Sequence, residues 1–181
     1  MTVLDEHVAD VAYEAHRLTV DTGMSFDEFR RRYEEAVPVF DRDGFQRLID
    51  EEADWSTVLG FTDRNAPHDF IIYWSLDNSA IFRLSGDRWR SVQYLMGNHT
   101  IAQRMFQHDP AVMEYAPLRT TIYEHSDGYA RFAIDQPSHQ FAGFGDPAIA
   151  AVGVELDREV ATLLEFLEVP VPGRLVTSSA R

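Results

Sequence analysis

The chain has 181 residues, and its 16 Lys+Arg against 30 Asp+Glu give a formal net charge of −14. Hydrophobic residues make up 45% and charged residues 25%, the composition of an ordinary globular domain able to bury a core without staples. The absence of cysteine excludes disulfides, thiolate metal sites and thiol nucleophiles. The acidic balance argues against a nucleic-acid partner, whose phosphates call for clustered Lys and Arg.

The N-terminus is acidic and lacks the basic and apolar regions of a signal peptide. No run approaches the roughly 20 apolar residues of a membrane span, so a cytoplasmic location with no membrane partner is expected. A first helix is predicted over about residues 6–17. Ser25-Phe26-Asp27-Glu28 reads as a capping box, and Phe26, Phe29 and Tyr33 follow at helical spacing until Pro38. Asp43 is the predicted cap of a further helix carrying Phe45, Leu48 and Ile49.

From residue 70 the pattern turns to strands. Residues 70–76 are β-branched and aromatic, and shorter strands are predicted over 80–84 and 91–96, separated by polar turns. Gly97-Asn98-His99 leads into Thr100-Ile101-Ala102-Gln103, a second capping box, with Ile101, Met105, His108 and Val112 on one helical stripe. Asp109-Pro110 restarts or bends that helix.

Residues 118–126 and 129–135 flank Asp127-Gly128, which predicts a hairpin closed by a two-residue turn. That turn pairs Glu124 with Arg131 and Tyr123 with Phe132. Tyr123, Phe132 and Ile134 then share one face, and Thr120, Ile122, Glu124 and Arg131 the other. Asp146-Pro147 caps a last helix with Ile149, Val152, Leu156, Val160, Leu163 and Leu167 in its stripe. The resulting expectation is an α+β fold, with an antiparallel sheet of about five strands packed with helices. Residues 1–69 form a helical N-terminal extension, 70–172 the core domain and 173–181 a flexible tail. A sheet covered on one side leaves its other face to solvent, a ligand or a second subunit, and a homo-oligomer is expected.

The run Met96-Gly97-Asn98-His99-Thr100-Ile101-Ala102, then His108-Asp109-Pro110-Ala111-Val112, then Ala116-Pro117-Leu118-Arg119-Thr120-Thr121-Ile122-Tyr123-Glu124 and the turn Ser126-Asp127-Gly128 resembles the domain-of-unknown-function family DUF302. The resemblance covers about residues 70–168. It implies a compact, often oligomeric α+β domain and little about chemistry. His99 stands where many relatives carry proline, so a role for this histidine would not be family-wide.

Two constellations carry candidate chemistry. At the helix start, Asn98, His99 and Thr100 combine free N–H groups with an imidazole able to shuttle a proton near neutral pH; the alternative is a plain strand-to-helix turn. Glu114 and Tyr123 add a carboxyl and a phenol for proton transfer, while Tyr115 and Arg119 are candidate binding groups, Arg119 as anchor for an anionic ligand; the alternative is a neutralising Arg119–Glu114 pair beside packed tyrosines. The preferred function is binding of a small organic molecule, with cofactor-independent acid–base catalysis by His99, Glu114 and Tyr123. A non-catalytic dimerising or metabolite-sensing module is the alternative. A haem or metal protein using His99 or His108 is a third reading, although the seven histidines match no metal-ligand spacing and no cofactor is called for. Gly143-Phe144-Gly145-Asp146-Pro147-Ala148 matches a dinucleotide fingerprint in letters only, since Asp146 would repel a pyrophosphate.

Overall fold

The computed structural model describes residues 10–177. Five strands, β1 Arg17–Ser25, β2 Ile71–Asp77, β3 Ser91–Gly97, β4 Leu118–Glu124 and β5 Tyr129–Asp135, form one antiparallel sheet in the order β1-β5-β4-β3-β2. The helices are α1 Phe26–Ala36, α2 Arg42–Asp50, α3 Trp55–Asn65, α4 Ser79–Phe82, α5 His99–Phe106, α6 Pro137–Ala142, α7 Pro147–Phe166 and α8 Gly173–Thr177. The expected α+β class with a five-stranded antiparallel sheet is what the chain adopts.

Strand alternation sends Val20, Tyr94, Met96, Ile122, Phe132 and Ile134 to one side of the sheet. There they merge with Phe26, Phe29 and Tyr33 of α1 and Val152, Leu156, Val160 and Leu163 of α7 in a single core. Each such side chain contributes about 1.5–3 kcal/mol by leaving water. Tyr33 is fully buried, and its hydroxyl lies 3.0 Å from both Thr120 Oγ1 and Met96 Sδ, so its polar end is satisfied inside the apolar layer. Asp157, also fully buried on α7, accepts from the Ser138 N–H at 2.9 Å and from Gln136 Nε2 at 2.8 Å. It thereby ties the start of α6 to α7.

Several local expectations change. Residues 10–16 have no regular structure and the chain enters β1 at Arg17, so the described part of the predicted first helix is absent; residues 6–9 lie outside the described residues. β1 pairs with β5, and α1 packs on the same core as β4 and β5, so this early segment is built into the sheet. Residues 80–84, predicted as a strand, instead form α4 and a 3-10 turn at Arg83–Ser85. Asp77 Oδ1 accepts from the Ser79 N–H at 2.9 Å and starts that turn, which overrides the β propensity of Ile81 and Phe82. The fifth strand is therefore β1.

Asp41, not Asp43, caps α2, through the Gly44 N–H at 2.9 Å. The absence of a side chain at Gly44 leaves room for the capping Asp41 carboxylate and the tip of the Phe61 ring, both of which a Cβ there would have to displace. Gly173–Thr177, expected as flexible tail, forms α8 and buries Leu175 completely.

The 118–135 hairpin forms, but its register is shifted by one. Ile122 pairs with Phe132 and Tyr123 with Arg131, because His125 already bonds Tyr129 and three residues, not two, make the loop. Gly128 takes the left-handed conformation, φ 85°, that closes a loop of this length. A one-residue shift moves side chains to the opposite face. Thr120 and Ile122 thus join Phe132 and Ile134 in the core, while Tyr123 joins Arg131 on the outer face; Arg131 pairs with Asp21 at 3.0 Å and with Asp127, not with Glu124.

Candidate functional site

The strand-to-helix junction after β3 forms, but Asn98 rather than the expected Thr100 is the cap of α5. Its Oδ1 accepts from the Thr100 N–H at 3.0 Å and the Thr100 hydroxyl at 2.7 Å, so Thr100 is capped rather than capping. With Oδ1 engaged, the Asn98 Nδ2 amide points away from the helix and donates to nothing among the described residues. Burial holds the neighbouring His99 imidazole below its ordinary pKa.

His99 is engaged on every side. Its backbone N–H donates to Tyr73 Oη at 3.1 Å, its Nδ1 lies 2.8 Å from the same hydroxyl, and its Nε2 lies 2.9 Å from Thr62 Oγ1. The Thr62 hydroxyl donates to the Val58 carbonyl at 2.9 Å, so toward His99 it accepts. The proton order follows by elimination: Tyr73 O–H donates to Nδ1, and Nε2–H donates to Thr62. His99 is thus neutral and carries its proton on Nε2. Burial pushes the Tyr73 phenol up to about 12, so it keeps its proton too. Phe45 from α2 meets the imidazole edge-on at 4.3 Å, Phe61 from α3 meets Phe45 at 4.8 Å, and Phe40 lies 5.0 Å from Tyr73.

Below this pair lies a cavity of about 370 Å³ at the end of the sheet. Its wall is apolar, with Met105, Leu118, Phe141 and Leu156, and its polar groups come from Tyr73, Asn98 and His99 at one end. Among the described residues no Lys or Arg lines it. The cis Ala116–Pro117 peptide and Gly97 close the sheet side.

The other predicted residues are elsewhere. Glu114 ends the 3-10 turn Pro110–Glu114 and is exposed. Tyr115 packs edge-on against Tyr13 at 5.5 Å, and hydrogen bonding with that phenol pushes its pKa up to about 12. Arg119 and Tyr123 sit on the sheet face away from the core. There Arg119 is 3.6 Å from Asp135, beside a shallow depression of about 410 Å³, and makes no pair with Glu114. The structure therefore brings together Asn98, His99 and Thr100, and separates them from Glu114, Tyr115, Arg119 and Tyr123. Tyr73, Thr62 and Phe45 were not singled out from sequence. The one available signal was strand adjacency, since pairing 70–76 with 91–97 brings Tyr73 beside the His99 turn. His108 lies 3.4 Å from Asp146 at the surface, and among the described residues no three His, Asp or Glu side chains gather as a metal site.

An antiparallel sheet with one helix-covered face and an apolar cavity at its end defines a small α+β pocket domain. The chain belongs to the family described as Domain of unknown function DUF302, whose model matches residues 56–167. The match begins earlier than residue 70 and takes in α3, which supplies Thr62. A similar fold is seen in the crystal structure of an uncharacterized conserved DUF302 protein from Bacillus stearothermophilus, at 17% identity and a TM-score of 0.59, covering 82% of this chain and 95% of that one. No curated protein matches the sequence. Among the described residues no helix is long and apolar enough to cross a membrane.

Proposed function

We propose that this chain binds a small, neutral, largely apolar organic molecule in the cavity beneath Tyr73 and His99. The observation that carries the reading is the cavity itself: about 370 Å³, walled by apolar side chains, with its few polar groups gathered at one end. Ligand pockets of about 300–1,000 Å³ have this make-up, an apolar wall for affinity and a few polar groups for orientation. Asn98 Nδ2 offers a donor to a ligand carbonyl or hydroxyl. Tyr73 Oη donates to His99 Nδ1 and accepts from the His99 N–H, which leaves one further lone pair for a ligand donor. An anionic ligand is disfavoured because no cation lines the wall to offset its desolvation.

The test is binding of indole, a neutral aromatic probe, followed by its shift of the unfolding temperature and by chemical-shift changes at the methionine methyls. Wild type should respond at Met105, and Ala102→Phe, which fills the cavity from α5, should not. A wild type silent to indole and to a panel of neutral fragments, with nothing co-purifying, would sink the reading.

A second reading, acid–base catalysis, is supported by the 2.8 Å Tyr73–His99 contact. Tyr73 would take a proton from the ligand while passing its own to His99 Nδ1. Tyr73→Phe should then abolish hydrogen–deuterium exchange into a bound ligand while leaving its affinity within a few-fold. Undiminished exchange in that variant would rule the relay out.

A further inference from the structure

We propose that the sheet face turned away from the core docks a second copy of this chain, in a two-fold, face-to-face pair. The proposal is independent of the cavity reading and rests on how the strand register distributes side chains. Thr19 pairs with Ala133, Ala133 with Thr121, Thr121 with Gln93, and Gln93 with Leu76. These five uncharged side chains cross the whole sheet as one row on its outer face. Two residues along the strands on one side runs a second row, Arg17, Asp135 and Arg119. Two residues along on the other side runs a third row, Asp21, Arg131 and Tyr123.

A two-fold axis laid along the central row superposes the second row of one copy on the third row of the other. Arg17 then faces Asp21 of the second copy, Asp135 faces Arg131, and Arg119 faces the Tyr123 ring. Every contact in that list is favourable, and symmetry makes each occur twice. The central row is uncharged and short at Thr19, Ala133 and Thr121, which lets the two sheets approach to the ~10 Å of ordinary sheet-on-sheet packing.

Charge selects the occupant. Two chains of net charge −14 repel each other over most of their surfaces. The three rows carry three arginines and two aspartates, so self-association is not opposed there. Arg17 is exposed and forms no ion pair among the described residues, and Arg119 is 64% exposed in its loose pair with Asp135, so both can be re-paired. Five strands spaced ~4.8 Å apart span roughly 24 Å, and seven residues of strand a similar length, about 550 Å² in projection. Exposed Trp74 and Leu76 on β2 add an apolar rim that extends the contact toward the ~800 Å² per partner of a standard interface.

Sedimentation velocity of the full chain, read with circular dichroism for folding, tests the proposal. Wild type should sediment at twice 20.7 kDa, and Thr121→Lys, which puts a charge into the central row, should sediment as a folded monomer. Arg17→Glu should weaken association about tenfold by facing Asp21 of the second copy, and Arg17→Glu with Asp21→Arg should recover it. A monomeric wild type at every concentration overturns the proposal. So does a dimer indifferent to a folded Thr121→Lys. Should Thr121→Lys not fold, an unchanged dimer affinity in Arg17→Glu does the same.

Discussion

Replacing Glu159 by Gln should stabilise the protein in alkaline solution and leave it nearly unchanged in acid. Glu159 lies on α7, and its Oε2 is buried without a hydrogen-bond partner among the described residues. Burial, then the carboxylates of Asp69 and Glu155, push its pKa up from 4.5 to about 8. The nearby cation Arg104 offsets little, being already committed to Glu155 by bonds of 2.6 and 2.8 Å. In the unfolded chain the carboxyl titrates near its ordinary value, so between that value and about 8 the folded state holds the extra proton. Stability from this group is therefore present below pH ~4.5 and is lost as pH rises through about 8. A shift from 4.5 to about 8 corresponds to about 4.8 kcal/mol at full burial. The side chain is partly reached by water, which reduces this to about 2 kcal/mol. Glutamine does not titrate, so Glu159→Gln should gain that amount at pH 9, roughly 4–8 °C in melting temperature for a domain of this size. Thermal unfolding of both proteins at pH 5, 7 and 9 provides the measurement. Melting curves that stay parallel across pH would refute the reasoning.

Thr62→Val should leave the His99 Nε2–H without its acceptor and cost about 1–3 kcal/mol in urea unfolding, with the imidazole still neutral at pH 7 by NMR. Asp157→Ala strips partners from the Ser138 N–H and the Gln136 amide at once, and a loss of about 3 kcal/mol by chemical denaturation is expected; a loss under 1 kcal/mol would contradict the tie between α6 and α7. Gly128→Ala forces a Cβ into the left-handed region and should cost about 1 kcal/mol while leaving the sheet spectrum intact. Gly44→Ala should displace Phe61, seen as a change in its ring shifts and in those of Phe45.

What could be read from sequence depended on the range of the interaction. The caps at Ser25, Asp109 and Asp146 and the apolar stripe of α7 are set by neighbours a few residues away, and all form. The hairpin was equally local in origin, yet the choice between a two- and a three-residue loop moved Tyr123 off the face of Phe132 and put Ile122 there instead. β1 carries a clear alternation, with Leu18, Val20 and Thr22 inward and Arg17, Thr19 and Asp21 outward. It was masked by the predicted helix ending at residue 17, and its partner β5 lies more than a hundred residues away. For the site, Asn98 and His99 were recognisable as a helix start. Their chemistry is decided by Tyr73 and Thr62, which are 26 and 37 residues distant and meet His99 only after folding. Single-residue chemistry suggested that Arg119 and Glu114 would converge; the 3-10 turn and the outward position of Arg119 keep them apart.

The position of β1 has a practical consequence. It covers the outer edge of β5, and it lies outside the segment, residues 56–167, that matches the family model. Expressing that segment alone would bare the β5 backbone, a row of unsatisfied N–H and C=O groups backed by Phe132 and Ile134. Such an edge recruits whatever strand is offered, and the loss of α1 uncovers the core beside it, so the fragment should aggregate, and adding a synthetic peptide of residues 17–37, which carries both β1 and α1, should return it to solution. In the intact chain β1 runs directly into α1 through the Ser25 cap, so strand and helix make one transferable part. A molecule that releases this β1–α1 unit could accept that of a neighbour, and linkage by exchange of the unit is then open to it.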